Sequence, residues 1–412
     1  MAKYDVIIIG AGASGLIAAE IAGRNNKDVL LLEKMEQAGR KLRITGKGRC
    51  NITNVSSPGD FVKHVGSDGR FLRNAFSIFF VEELMEYFKE IGLPLKVERG
   101  NRVFPTSDKA QDVFLRLIER IEKYKNVSIL KNTSVSEIIA FKNEVRGVKL
   151  DDGISIFADK VLLATGGLSY PLTGSTGDGY KMAEMLGHSV SERFPALVPL
   201  ISKESIVSAV VDFTVKNANI SVFEEGKKIH EAFGEMKFTE NGIGGPIVLT
   251  LSRYLTKGLH ENKEYLVKID FKSALDREEL DKEIMYELEF RGGMFFYEVA
   301  HRWLPEELIM LMFAYTKISK KKKCYQLSKT ERKLFLTFLK EFPLRIVATR
   351  DYDEAIITQG GIALKEINPK TMESKLIKNL FFSGEVMDLD ADTGGYNLQI
   401  AFTTGYVAGM NL

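Results

Sequence analysis

Cysteine is scarce in this chain, and its scarcity excludes two kinds of protein. Cys50 and Cys324 are the only cysteines among 412 residues, which is too few for a disulfide framework or a cysteine-rich zinc site. Long apolar runs are missing too, because no stretch approaches the roughly 18 apolar residues of a membrane-spanning helix. The first predicted strand begins almost at Met1, which leaves no room for a signal peptide. These features predict a soluble cytoplasmic protein that has no metal site and no membrane partner.

Charge of one sign is not in excess either. Lysine and arginine number 57 against 55 aspartates and glutamates, so the formal net charge is +2. Such a balance gives no general reason to expect a nucleic-acid partner. The strongest charge run, 320–323, is four lysines without interleaved aromatic residues, and a solvated loop between two helices is its better interpretation. The composition fits a globular protein of two or three domains and leaves the oligomeric state open.

What is present begins with a dinucleotide-binding pattern. Residues 6–9 are apolar and β-branched, as in a strand buried on both faces. Gly10, Gly12 and Gly15 follow at G-x-G-x-x-G spacing before a helix-forming segment, and a second apolar strand then ends at Glu33. In this motif the glycines permit a tight turn, close approach of a pyrophosphate and close packing of helix on strand. The alternative is an ordinary glycine-rich turn. It is disfavoured because the strand, the three glycines, the helix and the acidic residue would then all occur in the order of the motif by coincidence.

Two further segments have the composition of ligand loops. Residues 39–54 are rich in glycine, cations and asparagine and fit neither a helical nor a strand period, so we expect a loop that wraps a ligand. Arg40, Lys41 and Arg49 could face phosphate or the electron-rich part of a cofactor, and a solvated basic loop is the alternative. A second glycine-rich loop, 174–179, lacks the strand and fingerprint order, so it does not indicate a second dinucleotide domain.

The chain leaves its α/β pattern and later returns to it. We predict a first α/β part over 1–194, an inserted block over 195–343 and a second α/β part over 344–412. The insert has strands of alternating polarity and several helices, and its apolar segment 207–215 is predicted as a strand. In the last part a buried strand is followed by a helix that opens near Gly395.

The longer strings resemble one known family. GRKLRITGKGRCNITN at 39–54, LATGGLSYPLTGSTGDGY at 163–180 and FFSGEVMDLDADTGGYNLQIAFTTGYVAG at 381–409 are similar to the BaiN/YhiN family of bacterial NAD(P)/FAD-dependent oxidoreductases. The resemblance runs from end to end and is weakest over about 275–343. It implies an α/β fold with a Rossmann-like, glutathione-reductase-like FAD-binding domain, interrupted by an inserted β-barrel plus helical domain.

The resemblance also implies which residues contact FAD. The first glycine loop would hold the pyrophosphate, Glu33 the adenosine ribose and the backbone of Val135 the adenine. Glu385 and Asp388 would reach the ribityl chain. The N-terminus of the final helix would lie at the flavin pyrimidine ring and stabilise negative charge there. The full implied set is Gly10, Ala11, Gly12, Ala13, Ser14, Gly15, Glu33, Lys34, Arg40, Lys41, Thr45, Gly46, Arg49, Cys50, Asn51, Val135, Ala164, Thr165, Gly166, Gly384, Glu385, Asp388, Gly395, Tyr396, Asn397 and Leu398.

The resemblance admits several reactions, and the sequence does not choose between them. The leading interpretation is NAD(P)H-driven reduction of an activated C=C bond in a small organic substrate, with NADH or NADPH as a transient donor because no second nucleotide fingerprint is present. The alternatives are an FAD-dependent oxidase of a small amine such as aminoacetone, a tRNA-modifying flavoprotein and an FAD-binding protein without catalysis. The catalytic acid stays open, and the candidates by residue type alone are His64, His188, His230, His260, His301, Tyr170, Tyr396 and Cys50.

Overall fold

The computed structural model of the protein describes residues 3–66 and 68–412. The chain forms two compact units, and each is described by itself. The Rossmann unit comprises residues 1–195 and 355–412, and the barrel unit comprises residues 196–354. Among the described residues no helix is both long and apolar enough to cross a membrane.

Single strands and helices alternate only at the start of the chain, and runs of consecutive strands and of consecutive helices follow. The strands are β1 Lys3–Ile9, β2 Val29–Leu32, β3 Thr53–Asn54, β4 Leu95–Glu98, β5 Arg102–Pro105, β6 Val127–Leu130, β7 Val135–Phe141, β8 Glu144–Leu150, β9 Ser155–Leu163, β10 Phe194–Ala196, β11 Leu200–Ser202, β12 Thr214–Glu224, β13 Lys227–Thr239, β14 Gly242–Gly244, β15 Tyr265–Asp270, β16 Phe342–Thr349, β17 Ile357–Gln359 and β18 Leu380–Phe382. The helices are α1 Ala13–Arg24, α2 Arg40–Ile44, α3 Pro58–Lys63, α4 Arg73–Phe76, α5 Val81–Glu90, α6 Ala110–Ile121, α7 Asp178–Met185, α8 Pro246–His260, α9 Arg277–Phe290, α10 Phe296–Ala300, α11 Glu306–Thr316, α12 Lys329–Glu341 and α13 Tyr396–Asn411.

The Rossmann unit is built on a seven-stranded sheet. Its strand order is β6-β2-β1-β9-β8-β7, and β18 pairs with the second half of β9. The strands β6, β2, β1, β9 and β18 are parallel neighbours, and the second half of β1 and all of β2 are buried, as expected for apolar strands covered on both faces. Ile9 is in register with Leu32 and with Leu163, and Leu163 is in register with Phe382. The carboxyl ends of four strands therefore meet at one edge of the sheet.

The barrel unit contains a closed antiparallel barrel with the strand order β11-β14-β13-β12-β15-β16. Side chains alternate between the interior and the outside, so buried and half-buried residues alternate along β15. The barrel closes where β11 pairs with β16, with Leu200 opposite Thr349. Apolar residues of the helices join the same core, which includes Phe238, Ile269 and Phe338. The predicted architecture, a Rossmann-like sheet with an inserted barrel and helices, is confirmed.

Two predictions for the insert are corrected by the structure. In the segment 207–215, predicted as a strand, a 3-10 helix occupies Ser205–Val210 and β12 begins only at Thr214. The buried residues of this turn lie three positions apart, at Val207 and Val210, which suits a 3-10 helix and not a strand. The predicted return at residue 344 falls inside β16, which pairs with β15 and β11, so the barrel unit continues to Glu354.

Candidate functional site

The loops that leave the carboxyl edge of the Rossmann sheet start side by side. The Ala164 N–H donates to the Ile9 carbonyl oxygen at 2.9 Å, and the Ser383 N–H donates to that of Leu163 at 3.1 Å. Ligands of open α/β sheets bind in this position, outside the carboxyl ends of the strands. The structure thus brings together three of the predicted segments, namely 10–15, 164–166 and 384–388.

The first glycine loop has the shape that its motif requires. Gly10 has a φ of +104°, and a Cβ there would lie 2.5 Å from the Ala164 carbonyl oxygen. A Cβ on Gly15 would lie 1.9 Å from the Gly10 carbonyl oxygen, so α1 packs directly on the turn. A Cβ on Gly12, by contrast, would meet nothing within 4 Å among the described residues. Gly12 is the N-cap of α1, and no side chain of the described chain caps that helix. Open space and helix N–H groups therefore coincide at Gly12, as an anion site requires.

Glu33 is a buried carboxylate that backbone donors hold in place. The Ala11 N–H donates to its Oε2 at 3.1 Å and the Met35 N–H donates to its Oε1 at 2.9 Å. Burial is the largest influence on the carboxyl group and raises its pKa, while the two N–H bonds act to lower it. Each oxygen keeps acceptor capacity for a hydroxyl group. The Thr133 N–H donates to the Glu33 carbonyl oxygen at 2.9 Å, so the chain that enters β7 at Val135 passes beside Glu33.

Lys41 and Glu385 form an ion pair that joins several loops. Lys41 Nζ lies 2.7 Å from Glu385 Oε2, and the Thr358 N–H donates to Glu385 Oε1 at 2.7 Å. The Ser169 hydroxyl donates to the same oxygen at 3.0 Å. The ammonium that was expected to face phosphate or the electron-rich part of a cofactor is therefore paired with a carboxylate. Ser169 and Thr358 are members of this cluster that were not predicted, although Ser169 lies inside a family-like string.

The other two cations of this loop have different surroundings. Arg49 Nη2 lies 2.6 Å from Glu98 Oε1 and 2.5 Å from Asp108 Oδ1, and the guanidinium lies 4.2 Å from the ring centre of Phe104. The two carboxylates raise the pKa of Arg49 and hold it against the β4–β5 hairpin. Arg40 lies in α2, a short helix where a loop was expected, and its charge acts to lower the pKa of Glu33. Within the described chain Arg40 has no ion-pair partner, so its charge is available to an anionic ligand.

Three buried polar atoms in these loops have no hydrogen-bond partner among the residues that the structure describes. They are Asn51 Oδ1, Thr165 Oγ1 and Ser383 Oγ. Buried polar groups are normally satisfied, so orphaned atoms in adjoining loops indicate that a ligand completes their bonding. Each lies in or beside a segment that the family resemblance assigns to FAD, and the residues present therefore fit that cofactor. The neighbouring Cys50 is fully buried, and burial raises its pKa to about 12, which keeps it a thiol.

The final helix begins beside the loop that contains Cys50. Gly394 and Gly395 precede α13 with positive φ, and a Cβ on Gly395 would lie 2.4 Å from the Thr53 carbonyl oxygen. This contact seats the start of α13 against β3. Its N-terminus has no acidic residue in the first turn and, as far as the chain is described, no side-chain cap. The helix N–H groups and the positive end of the dipole are thus available to negative charge.

The first side chains of α13 pack against protein. The Tyr396 ring stacks on His64 with 4.4 Å between the ring centres and meets the edge of Phe61 at 4.8 Å. Asn397 Oδ1 accepts from the Ala391 N–H at 2.9 Å, and its Nδ2 donates to the Ala391 carbonyl oxygen at 2.8 Å. Tyr396 and Asn397 therefore shape the loop before the helix, and their backbone N–H groups remain the part that can face a ligand.

Three further residues of the predicted set form hydrogen bonds or ion pairs with other groups of the protein. Asp388 Oδ2 accepts from the Ser191 hydroxyl at 2.9 Å, and burial raises the pKa of Asp388. Lys34 Nζ forms an ion pair with Asp178 Oδ2 at 2.5 Å, and the Thr45 hydroxyl donates to a carbonyl oxygen three residues back at 2.7 Å. The contacts of these residues, and of the rest of the predicted set, with FAD stay predictions.

Comparison with known proteins gives a family, relatives and a fold. The model of the family described as HI0933-like protein Rossmann domain matches residues 4–411. The 3-dehydro-bile acid delta(4,6)-reductase of Clostridium scindens is 34% identical, over 98% of this chain and 97% of that protein. The ribosomal RNA dihydrouridine synthase of Escherichia coli is 28% identical, over 100% of this chain and 98% of that protein. The solved 3-ketosteroid delta1-dehydrogenase of Sterolibacterium denitrificans has a TM-score of 0.50 at 13% identity, covering 99% of both chains, and shows a shared fold.

Proposed function

The chain belongs to the HI0933-like Rossmann family of FAD-dependent oxidoreductases, and from that premise we propose that it reduces a C=C bond conjugated to a carbonyl group, with NADH or NADPH as electron donor. The observation that carries the proposal is the 34% identity, along nearly the whole chain, to a protein named as a delta(4,6)-reductase of 3-dehydro-bile acids. The leading substrate class is a small organic enone. We also place the protein in the cytoplasm, where its two unpaired cysteines would stay reduced.

The residues of the Rossmann unit would bind and polarise the cofactor. Gly12, Ser14 and the N-terminus of α1 would hold the pyrophosphate, and Glu33 would accept from the ribose hydroxyls. The N-terminus of α13 would stabilise negative charge at the pyrimidine end of the flavin. When bound, FAD supplies hydride transfer between the donor and the double bond.

A uridine in RNA is the second candidate substrate. The observation that favours it is the full-length match at 28% identity to a ribosomal RNA dihydrouridine synthase. Conversion of uridine to dihydrouridine also saturates a C=C bond conjugated to a carbonyl, so one site chemistry serves both candidates. The near-neutral net charge, which argued against a nucleic-acid partner, describes the whole chain and does not describe its local surfaces.

The test is anaerobic stopped-flow absorbance of the FAD-loaded protein with NADH and NADPH in separate runs. We expect one donor to bleach the flavin band, and a 3-keto-Δ4 bile acid then to restore the band as its double bond is reduced. Restoration by a uridine-containing ribosomal RNA fragment and not by the enone would select the second candidate. If neither donor bleaches the flavin band, and chemically reduced flavin is reoxidised rapidly by O2, the proposed reductase activity would be overturned and the amine oxidase activity would be favoured.

A further inference from the structure

A basic segment of the barrel unit lies at the surface beside exposed aromatic rings. Between residues 317 and 333 the chain has eight lysine and arginine residues against one carboxylate, Glu331. Lys322 is paired with that carboxylate at 2.6 Å. Arg332 is paired with Asp281 at 3.5 Å, so six of the eight cations have no ion-pair partner in the described part of the chain. The lysines that have no carboxylate partner in the described part of the chain include Lys321, Lys323 and Lys329.

Backbone pairing brings aromatic side chains to these lysines. Phe295 lies opposite Lys323 in an antiparallel bridge, so the two side chains are on the same side. The Tyr325 N–H donates to the Gly292 carbonyl oxygen at 3.1 Å, which extends the pairing of the two segments. Phe295 is 45% exposed and Tyr325 is 69% exposed. The run 320–323 contains no aromatic residue, and the fold brings Phe295 to it from a segment about thirty positions earlier.

A groove next to the pairing adds an apolar floor. It encloses about 370 Å³ and is lined by Tyr325 and Lys329 together with apolar residues that include Leu288. Its lining contains Glu289 and Lys329, and Arg332 there is paired with Asp281 Oδ2 at 3.5 Å, so the excess of cations comes from the neighbouring lysines of the segment. Exposed rings and an excess of cations are the combination that binds single-stranded nucleic acid, because bases stack on the rings and phosphates contact the cations.

We propose that Phe295, Lys321, Lys323, Tyr325 and Lys329 form a docking surface for single-stranded RNA, named here the lysine–aromatic surface. Charge complementarity favours a polyanion. The exposed rings favour unpaired bases, because the bases of a duplex are stacked on one another and cannot reach a side chain in the same way. This inference extends the proposed function in its RNA form. Its test measures RNA binding and needs no turnover. A failure of the proposed docking surface can therefore be distinguished from a failure of the proposed reductase activity.

The experiment is fluorescence anisotropy of a labelled 12-nucleotide oligo(U) with the full-length FAD-loaded protein over a range of salt concentrations. The variants are Lys321→Ser with Lys323→Ser, and Tyr325→Ala. We expect the double lysine variant to reduce the magnitude of the salt slope by about 1.4, since each lost phosphate contact removes about 0.7 for single strands. Tyr325→Ala should raise the Kd about tenfold through the loss of one stacked base, and Tyr325→Phe should restore it.

The matched control is Lys216→Ser with Lys227→Ser, two exposed lysines on barrel strands that make the same change in net charge. It should leave both Kd and salt slope unchanged. The proposal would be overturned if the control variant raised the Kd for oligo(U) as much as the double lysine variant does. It would also be overturned if the protein bound a 12-base-pair RNA duplex with the same Kd as oligo(U). Concentration-dependent self-association that Tyr325→Ala abolishes, without RNA binding, would assign the surface to a second copy of the chain and also overturn it. Circular dichroism of each variant checks that the surface changes leave the fold intact.

Discussion

The space over Gly12 allows the nucleotide site to be tested apart from the fold. Gly12→Ala adds a methyl group where no described atom lies within 4 Å, and the backbone there is extended, with φ −84°. Alanine is a poorer N-cap than glycine but lowers the entropy of the unfolded chain. These effects oppose each other, so the unfolding free energy of the FAD-free protein should change by less than about 1 kcal/mol.

The same methyl group occupies the space into which a pyrophosphate would come. Loss of one hydrogen bond to a charged group costs about 1.5–3 kcal/mol, so the Kd for FAD should rise roughly 10-fold to 150-fold. The assay is titration of FAD-free protein by quenching of flavin fluorescence, with urea unfolding run alongside. The control is Gly59→Ala, whose Cβ would have no neighbour closer than 4.0 Å and which lies in α3, outside the predicted set. Unchanged FAD affinity in Gly12→Ala, or an unfolded variant, would refute the reasoning.

Three more predictions concern stability and reactivity. Gly15→Ala places a Cβ 1.9 Å from the Gly10 carbonyl oxygen, so urea unfolding should show a loss of about 2–4 kcal/mol, and a loss below 1 kcal/mol would contradict the packing. Burial raises the pKa of Cys50 to about 12, so mass spectrometry after maleimide treatment at pH 8 should find it unmodified in folded protein and modified in urea. Burial lowers the pKa of His188, so the folded state binds this proton less readily than the unfolded state and stability falls as the pH drops below about 6.5. The urea midpoint of His188→Gln should then fall less between pH 7 and pH 5 than that of the parent protein, and equal falls would exclude His188 as a cause.

Local signals account for what could be predicted from the sequence. The strand, turn, helix and strand of the first 33 residues are specified by neighbouring residues, and the structure has β1, α1 and β2 where they were expected. The α/β class and the presence of an inserted block follow from changes in apolar periodicity, which are also local, and the family resemblance implied that the block contains a barrel. Glu33 was recognised because the motif places it at the end of the second strand.

Long-range contacts account for what could not be predicted. Arg49 lies in a basic, glycine-rich loop and suggests a phosphate ligand, but Glu98 and Asp108, 49 and 59 residues further on, bind its guanidinium. Lys41 is likewise paired with Glu385, 344 residues away. The apolar alternation of β16 suits either unit, and only its pairing with β15 assigns it to the barrel.

The position of β18 has a consequence for biosynthesis. The second half of β9 pairs with β18, which the ribosome makes only after the whole barrel unit, and α13 follows later still. At about 5–20 residues per second, the nascent chain carries this apolar part of β9 with one edge unpaired, and with the first glycine loop already made, for roughly 10–40 s. In the barrel, β11 to β15 lie within residues 200–270 and can pair as they emerge, whereas β16 follows only after the helices α9 to α12. FAD capture is therefore expected to wait until β18 and α13 have been made, and until then the open edge of β9 is a site at which nascent chains can aggregate.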